Sequence, residues 1–172
     1  NYSVKATLAD YYSVIDKFNN ANKTLSTKAN QSLAGNYYEG MRIGELWGYV
    51  SNGLWQDQGS IDAAESKAHA AGQKYYNPLM QTSKTYKLYP GDIKFDDLNG
   101  NGYIDRGKNT VDDPGDRKII GNEEPRYIYS FTLAADWNNI WFNAFFQGVG
   151  KQDWYPSNEA SVFWGQYNRP YN

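Results

Sequence analysis

The chain has 172 residues, no cysteine and a formal net charge of −2. The absence of cysteine rules out a disulfide framework, a thiolate zinc site and a thiol nucleophile. Slight acidity, with no Lys/Arg block, argues against nucleic acid as a partner.

Aromatic residues make up 17% of the chain, as 16 Tyr, 6 Trp and 7 Phe, beside 16 Gly. Such a mixture favours β structure with elaborate loops. No signal peptide opens the chain and no apolar run approaches a membrane helix. A β-barrel stays open, because its spans are short and alternate in polarity.

Tyr2, Val4, Ala6 and Leu8 alternate with Ser3, Lys5, Thr7 and Ala9, so residues 2–12 read as a strand. The Asp16–Asn22 cluster ends it, and residues 22–36 are polar, unpatterned loop. Arg42–Val50 is patterned again. Ser51-Asn52-Gly53 then reads as a turn into Leu54-Trp55, a small hairpin. Ser60 is placed to cap a short helix over roughly 61–71, with Ile61, Ala64, Ala68 and Ala71 on one side and Gly72 as its stop. His69 lies in this helix without a second His or a nucleophile nearby, and reads as a surface residue.

Asp97-Leu98-Asn99-Gly100-Asn101-Gly102-Tyr103-Ile104-Asp105 has the spacing of a calcium loop. Asp97, Asn99 and Asn101 fall at positions 1, 3 and 5, Gly102 at the sharp turn, Tyr103 at the carbonyl position and Asp105 at position 9. The twelfth position is Lys108 where a bidentate Glu belongs, although Asp112, Asp113 and Asp116 follow. Two readings stay open: a Ca2+ site across an enlarged loop, or a turn cluster in which Asp and Asn bond their own backbone. Either way the loop is structural.

The pattern then sharpens. Tyr127, Tyr129, Phe131, Leu133, Ala135 and Trp137 share one face; Asn138-Asn139 turns the chain; the return strand puts Phe142, Ala144 and Phe146 on one face and Trp141, Asn143, Phe145 and Gln147 on the other. Arms of this length span a bilayer when tilted, and Trp137 and Trp141 flank the tight turn as interfacial aromatics would. Barrels of the outer membrane have short periplasmic turns and long external loops. One orientation then satisfies the chain: strand 2–12, extracellular loop region 13–126, transmembrane hairpin 127–148, extracellular loop 149–172. Three strands leave too many edge groups unpaired to close a barrel in lipid, so the segment is expected to belong to something larger.

On these residues the sequence resembles the C-terminal barrel region of SusC/RagA-type TonB-dependent outer-membrane transporters. The likeness lies in YYEGMRIGELWGYVSNGLWQ (37–56), GDIKFDDLNGNGYID (91–105), GDRKIIGNEEPRYIYSFTLAADW (115–137) and WFNAFFQGVGKQDWYP (141–156), in that order. Phe18-Asn19-Asn20 and FWGQYNRPYN (163–172) extend it over nearly the whole chain.

The resemblance implies an all-β fold: antiparallel strands of a large transmembrane β-barrel whose long extracellular loops contain a small hairpin and a short helix. It implies a bacterial outer-membrane location, import of glycans or peptides, a SusD-like surface lipoprotein as partner, and TonB coupling through a missing N-terminal plug. Asp116 matches the later acid of the family's loop, while Asn101 and the insert RGKNTVDDPGD depart from it.

Trp47, Tyr49 and Trp55 can stack on sugar faces or pin the loop fold; Trp154 and Trp164 make the tail a candidate partner surface. Enzymatic function is not expected. The carboxylate pairs Asp96-Asp97 and Glu123-Glu124 are adjacent, so their side chains point apart on an extended chain, and no nucleotide, nucleophile-elbow or zinc-protease motif is present. The alternative is a secreted, soluble, β-rich carbohydrate-binding module.

Overall fold

A computed structural model describes residues 1–25, 36–73, 75 and 87–154, together with the backbone of 31–32. Most of the tail expected at 149–172, including Trp164, lies outside these residues. The described residues are rich in antiparallel strands and contain one helix. That helix is too short and too polar to cross a membrane, a statement that bears on helical spans alone. The chain divides into two compact units.

Unit 1 takes Asn1–Val14, Arg42–Gly44 and the chain from Asn122 onward. Its sheet has three strands, β1 (Tyr2–Ala9), β7 (Arg126–Trp137) and β8 (Ile140–Lys151), in the order β1-β7-β8 with β7 central. Both ladders are antiparallel, pairing Val4 with Leu133 and Phe131 with Phe146. The alternation of apolar and polar residues fixes this register, because a slip of one residue would exchange the faces. Asn138 and Asn139 both sit at positive φ, 50° and 67°, as a tight primed hairpin turn requires. The first strand is shorter than the 2–12 expected. Asp10 leaves the ladder to accept bonds from the Arg126 guanidinium and from the Tyr127 amide.

Unit 2 takes Ile15–Met41 and Glu45–Gly121. Here the expected hairpin is absent. The run from Glu45 splits at Val50 into β3 (Glu45–Tyr49) and β4 (Ser51–Leu54), which join different sheets. β3 lies between β2 (Gln31–Ser32) and β6 (Arg117–Asn122); β4 pairs with β5 (Ile93–Phe95). Ser51-Asn52-Gly53 is therefore strand, not turn. All five residues of β3 are buried, so the strand lacks the alternation that marks a half-exposed one. Glu45 is buried among them and accepts from Tyr38 Oη at 2.5 Å and Trp47 Nε1 at 3.3 Å, which offsets the cost of removing a carboxylate from water. Burial, followed by the Glu45 bond, pushes the Tyr38 phenol up.

The helix α1 spans Gln58–Ala70. Its cap is Asp57, one turn earlier than expected: Asp57 Oδ1 accepts from the Ser60 amide at 2.8 Å, and Ser60 Oγ donates back to the Asp57 carbonyl. Ile61 and Ala68 face the core while His69 is exposed. At the other end Gln73 N bonds Ala68 O and Gly72 N bonds His69 O, the paired closure of a Schellman end.

Candidate functional site

The alternation in β1, β7 and β8 produces a sheet with two unlike faces. Paired residues lie on one side, so the register collects Tyr2, Val4, Ala6 and Leu8 with Tyr129, Phe131, Leu133 and Ala135, and with Phe142, Ala144 and Phe146. That face carries no charge. Phe131 and Phe146 stack across it with centroids 4.5 Å apart, an arrangement worth about 0.5–1.5 kcal/mol beyond area burial. Its large side chains are nonetheless mostly exposed in this chain, among them Tyr2, Val4, Leu8 and Phe142. The opposite face carries Ser3, Lys5, Thr7, Ser130, Thr132, Asn143 and Gln147, and Thr7 and Ser130 share a hydroxyl bond of 2.6 Å across it. Phe145 and Val149 also stand on this second face.

Trp137 and Trp141 are 78% and 80% exposed beside the turn. The register pairs Trp137 with Ile140 on the apolar face and Asp136 with Trp141 on the polar one. The two indoles thus point to opposite sides. A belt on one face can include Trp137 but not Trp141.

The calcium-like loop folds onto itself in unit 2. Asp97 accepts from the Gly100 and Gly102 amides, both at 2.7 Å. Asn99 accepts from Asn101, and Asn101 from Tyr103. Asn101 also turns its amide nitrogen, a donor, to Asp105 Oδ2. Gly102 holds φ +94°, the backbone its loop position was expected to need.

Asp116 is the hub. It is fully buried and accepts from Leu98 and Asn99 on one oxygen and from Asp105 on the other, at 2.7, 3.3 and 2.7 Å. Burial raises its carboxyl above the ordinary range, with the three amides pulling the other way. Burial, with the Asp116 and Asp97 charges, pushes the Tyr75 phenol up to about 12. Among the described residues no group of three or more His, Cys, Asp or Glu stands where it can hold a metal ion. As placed, Asp97, Asn99, Asn101, Asp105 and Asp116 each accept at least one hydrogen bond from a backbone amide of this loop region. Their side-chain oxygens serve the loop's own amides.

Arg117 completes this loop and sequence reasoning gave it no role. It is buried, donating to Pro114 O at 3.1 Å, Arg106 O at 3.4 Å and Asn109 Oδ1 at 2.8 Å. Two of these acceptors are backbone carbonyls, which no pattern of residue types reveals.

Trp47, Tyr49 and Trp55 are buried, which favours the second of their two readings, pinning the loop fold, over stacking on sugar faces. Trp47 packs with Leu25, Tyr38 and Met41; Tyr49 with Phe95 and Ile104; Trp55 with Ile61 and Leu88. Their large apolar areas are used in holding a unit of short strands together. Trp154, by contrast, is exposed. No protein-family model and no curated protein matches the sequence.

Proposed function

We propose that β1, β7 and β8 are neighbouring staves in the wall of a large outer-membrane barrel, and that the chain is part of an active transporter. On this reading the barrel imports glycans or peptides together with a SusD-like lipoprotein and is driven by TonB. The observation that carries the proposal is the two-faced sheet: three strands in one register, one face apolar and open, the other largely polar. Lipid is a solvent that rewards such a face without any protein cover. A strand of twelve residues is about 40 Å long, or about 28 Å along the membrane normal at a tilt near 45°, enough for the apolar band.

Connectivity supports the same reading. β1 and β7 are joined by a long excursion and β7 and β8 by two residues, as external loops and periplasmic turns are in barrels. The resemblance of the loop segments and the hairpin to SusC/RagA-type transporters supplies the substrate class and partners. No covalent chemistry is assigned, because no nucleophile–base pair or separated carboxylate pair enters the reading. Ca2+ is left out of it, since the loop's oxygens are engaged.

These 172 residues contribute no cysteine, and single cysteines are introduced here in a protein freed of any cysteine elsewhere. Placed at Leu133 and Phe146, they should resist a membrane-impermeant maleimide in intact outer membranes. At Thr132 and Gln147, on the other face, they should label through an open lumen. Uniform labelling at all four would reject the wall and favour a soluble carbohydrate-binding module.

A further inference from the structure

Three asparagines in the chain are followed by glycine, at Asn52-Gly53, Asn99-Gly100 and Asn101-Gly102. This step is prone to spontaneous conversion of the side-chain amide to an acid, because a glycine nitrogen can approach the preceding Cγ without a Cβ in the way. By sequence the three are alike. The fold sets them apart. At the two loop steps the attacking nitrogen is tied, since Gly100 N and Gly102 N each donate to Asp97 at 2.7 Å. A bond to a carboxylate is among the stronger ones, and removing the amide proton there would set a nitrogen anion against the Asp97 charge. The side chains are tied as well: Asn99 Oδ1 accepts from Asn101 N, while Asn101 holds Tyr103 N on its oxygen and Asp105 Oδ2 on its nitrogen. The Lys67 stem covers Gly102, where an added Cβ would lie 2.8 Å from Lys67 Cε.

Asn52 stands in the opposite condition. Ser51 pairs with Phe95 and Leu54 with Ile93, so Asn52 and Gly53 together face Lys94, and β4 bulges there. A bulge leaves its extra residue without a ladder partner. Both residues are exposed, and Gly53, at φ +82°, has nothing within 4 Å of the space a Cβ would take. Among the described residues no hydrogen bond holds the Asn52 side chain, and Ser51 Oγ reaches past it to the Gly53 carbonyl at 3.5 Å.

We propose that Asn52 is a modification site, the place where this chain deamidates spontaneously, and that Asp97 shields Asn99 and Asn101 from the same reaction. Gly53 N gives its proton to solvent base and attacks Asn52 Cγ. The new C–N bond closes a five-membered imide as ammonia leaves. Water then opens the ring: opening at Cγ gives aspartate, and opening at the main-chain carbonyl gives isoaspartate. Either product puts a negative charge on β4, and isoaspartate lengthens its backbone by one carbon. Shielding gives the Asp97 carboxylate a role that needs no cation. The inference stands on unit 2 alone, apart from the transporter reading.

The test is to incubate the purified full-length protein in mildly alkaline buffer, folded and in parallel in concentrated urea, and to map the products by mass spectrometry. Trypsin cuts after Arg42 and Lys67 on either side of Asn52, and after Lys94 and Arg106 on either side of the other two. Fragment ions then separate Asn99 from Asn101. In the folded protein Asn52 should convert roughly tenfold faster or more than either loop site, the factor for first breaking one hydrogen bond to a charged group. In urea the three rates should converge, since each asparagine meets a glycine. Asp97→Asn should speed conversion at Asn99 and Asn101 and leave Asn52 unmoved. Loop sites that match Asn52 in the folded protein, a gap that persists in urea, or an Asn52 that survives folded while converting in urea would each overturn the proposal. Loop rates indifferent to Asp97→Asn would overturn the shielding.

Discussion

Asp116 holds three backbone amides from a position without solvent, so its replacement can be read atom by atom. Asn in its place keeps the shape but presents an NH2 to one of the amide donors. The expected cost is about 1–3 kcal/mol, the cost of a buried donor left unmet. Burial lifts the carboxyl above its ordinary 3.8. The folded state therefore holds the proton more tightly than the unfolded state. Its contribution is full below 3.8 and is lost as pH climbs through the raised folded value. The stability gap between wild type and Asp116→Asn should narrow over that window in denaturant titrations; a gap that widens would contradict the burial argument. Calcium, added or chelated, should leave the unfolding midpoint unmoved. A midpoint that rises with calcium would mean that Asp97 and Asp105 can leave their amides for a cation. The spacing of the nonapeptide was legible in the sequence, as was the need for Gly102. The use of the oxygens was not, because both open readings require the same residue types at the same positions.

Elements read well where one face met solvent and one did not. The hairpin at β7 and β8 followed from strict alternation and an Asn-Asn pair, and its register is the one that alternation demands. β3 failed that test: it is buried on both faces, its partner β6 lies far along the chain, and a run without period two looks like the arm of a local hairpin. β5 and β6 were hidden inside a stretch dominated by turn residues. The helix was placed within a few residues, but its cap was given to Ser60, since Ser and Asp three apart are equally good caps until the bond is seen. Asp57→Ala should cost about 1 kcal/mol and Ser60→Ala less, measured as amide-exchange protection over the first turn. The hairpin turn makes a second demand. Asn139 sits at φ 67°, so Asn139→Val should cost about 1–2 kcal/mol while Asn139→Gly is tolerated, read from unfolding midpoints.

At the scale of the molecule, the two units show different solutions to the same aromatic wealth. Unit 2 turns Trp47, Tyr49 and Trp55 inward and builds three small cores around them. Unit 1 leaves Phe142, Phe146, Trp137 and the β1 apolar row outside, on a sheet that among the described residues has three strands and two open edges. Water penalises that arrangement, whereas a barrel in lipid rewards it. Leu133 and Thr132 are neighbours at mid-strand and point to opposite faces, so they separate the environments at a single depth. In a bilayer, Leu133→Arg should destabilise the folded protein by about 2–4 kcal/mol and Thr132→Arg far less. The check is equilibrium unfolding from vesicles, with outer-membrane recovery as a second readout. In a soluble domain each arginine would reach water, and the two costs would be small and alike. Equal effects would therefore remove the lipid from the account of this face.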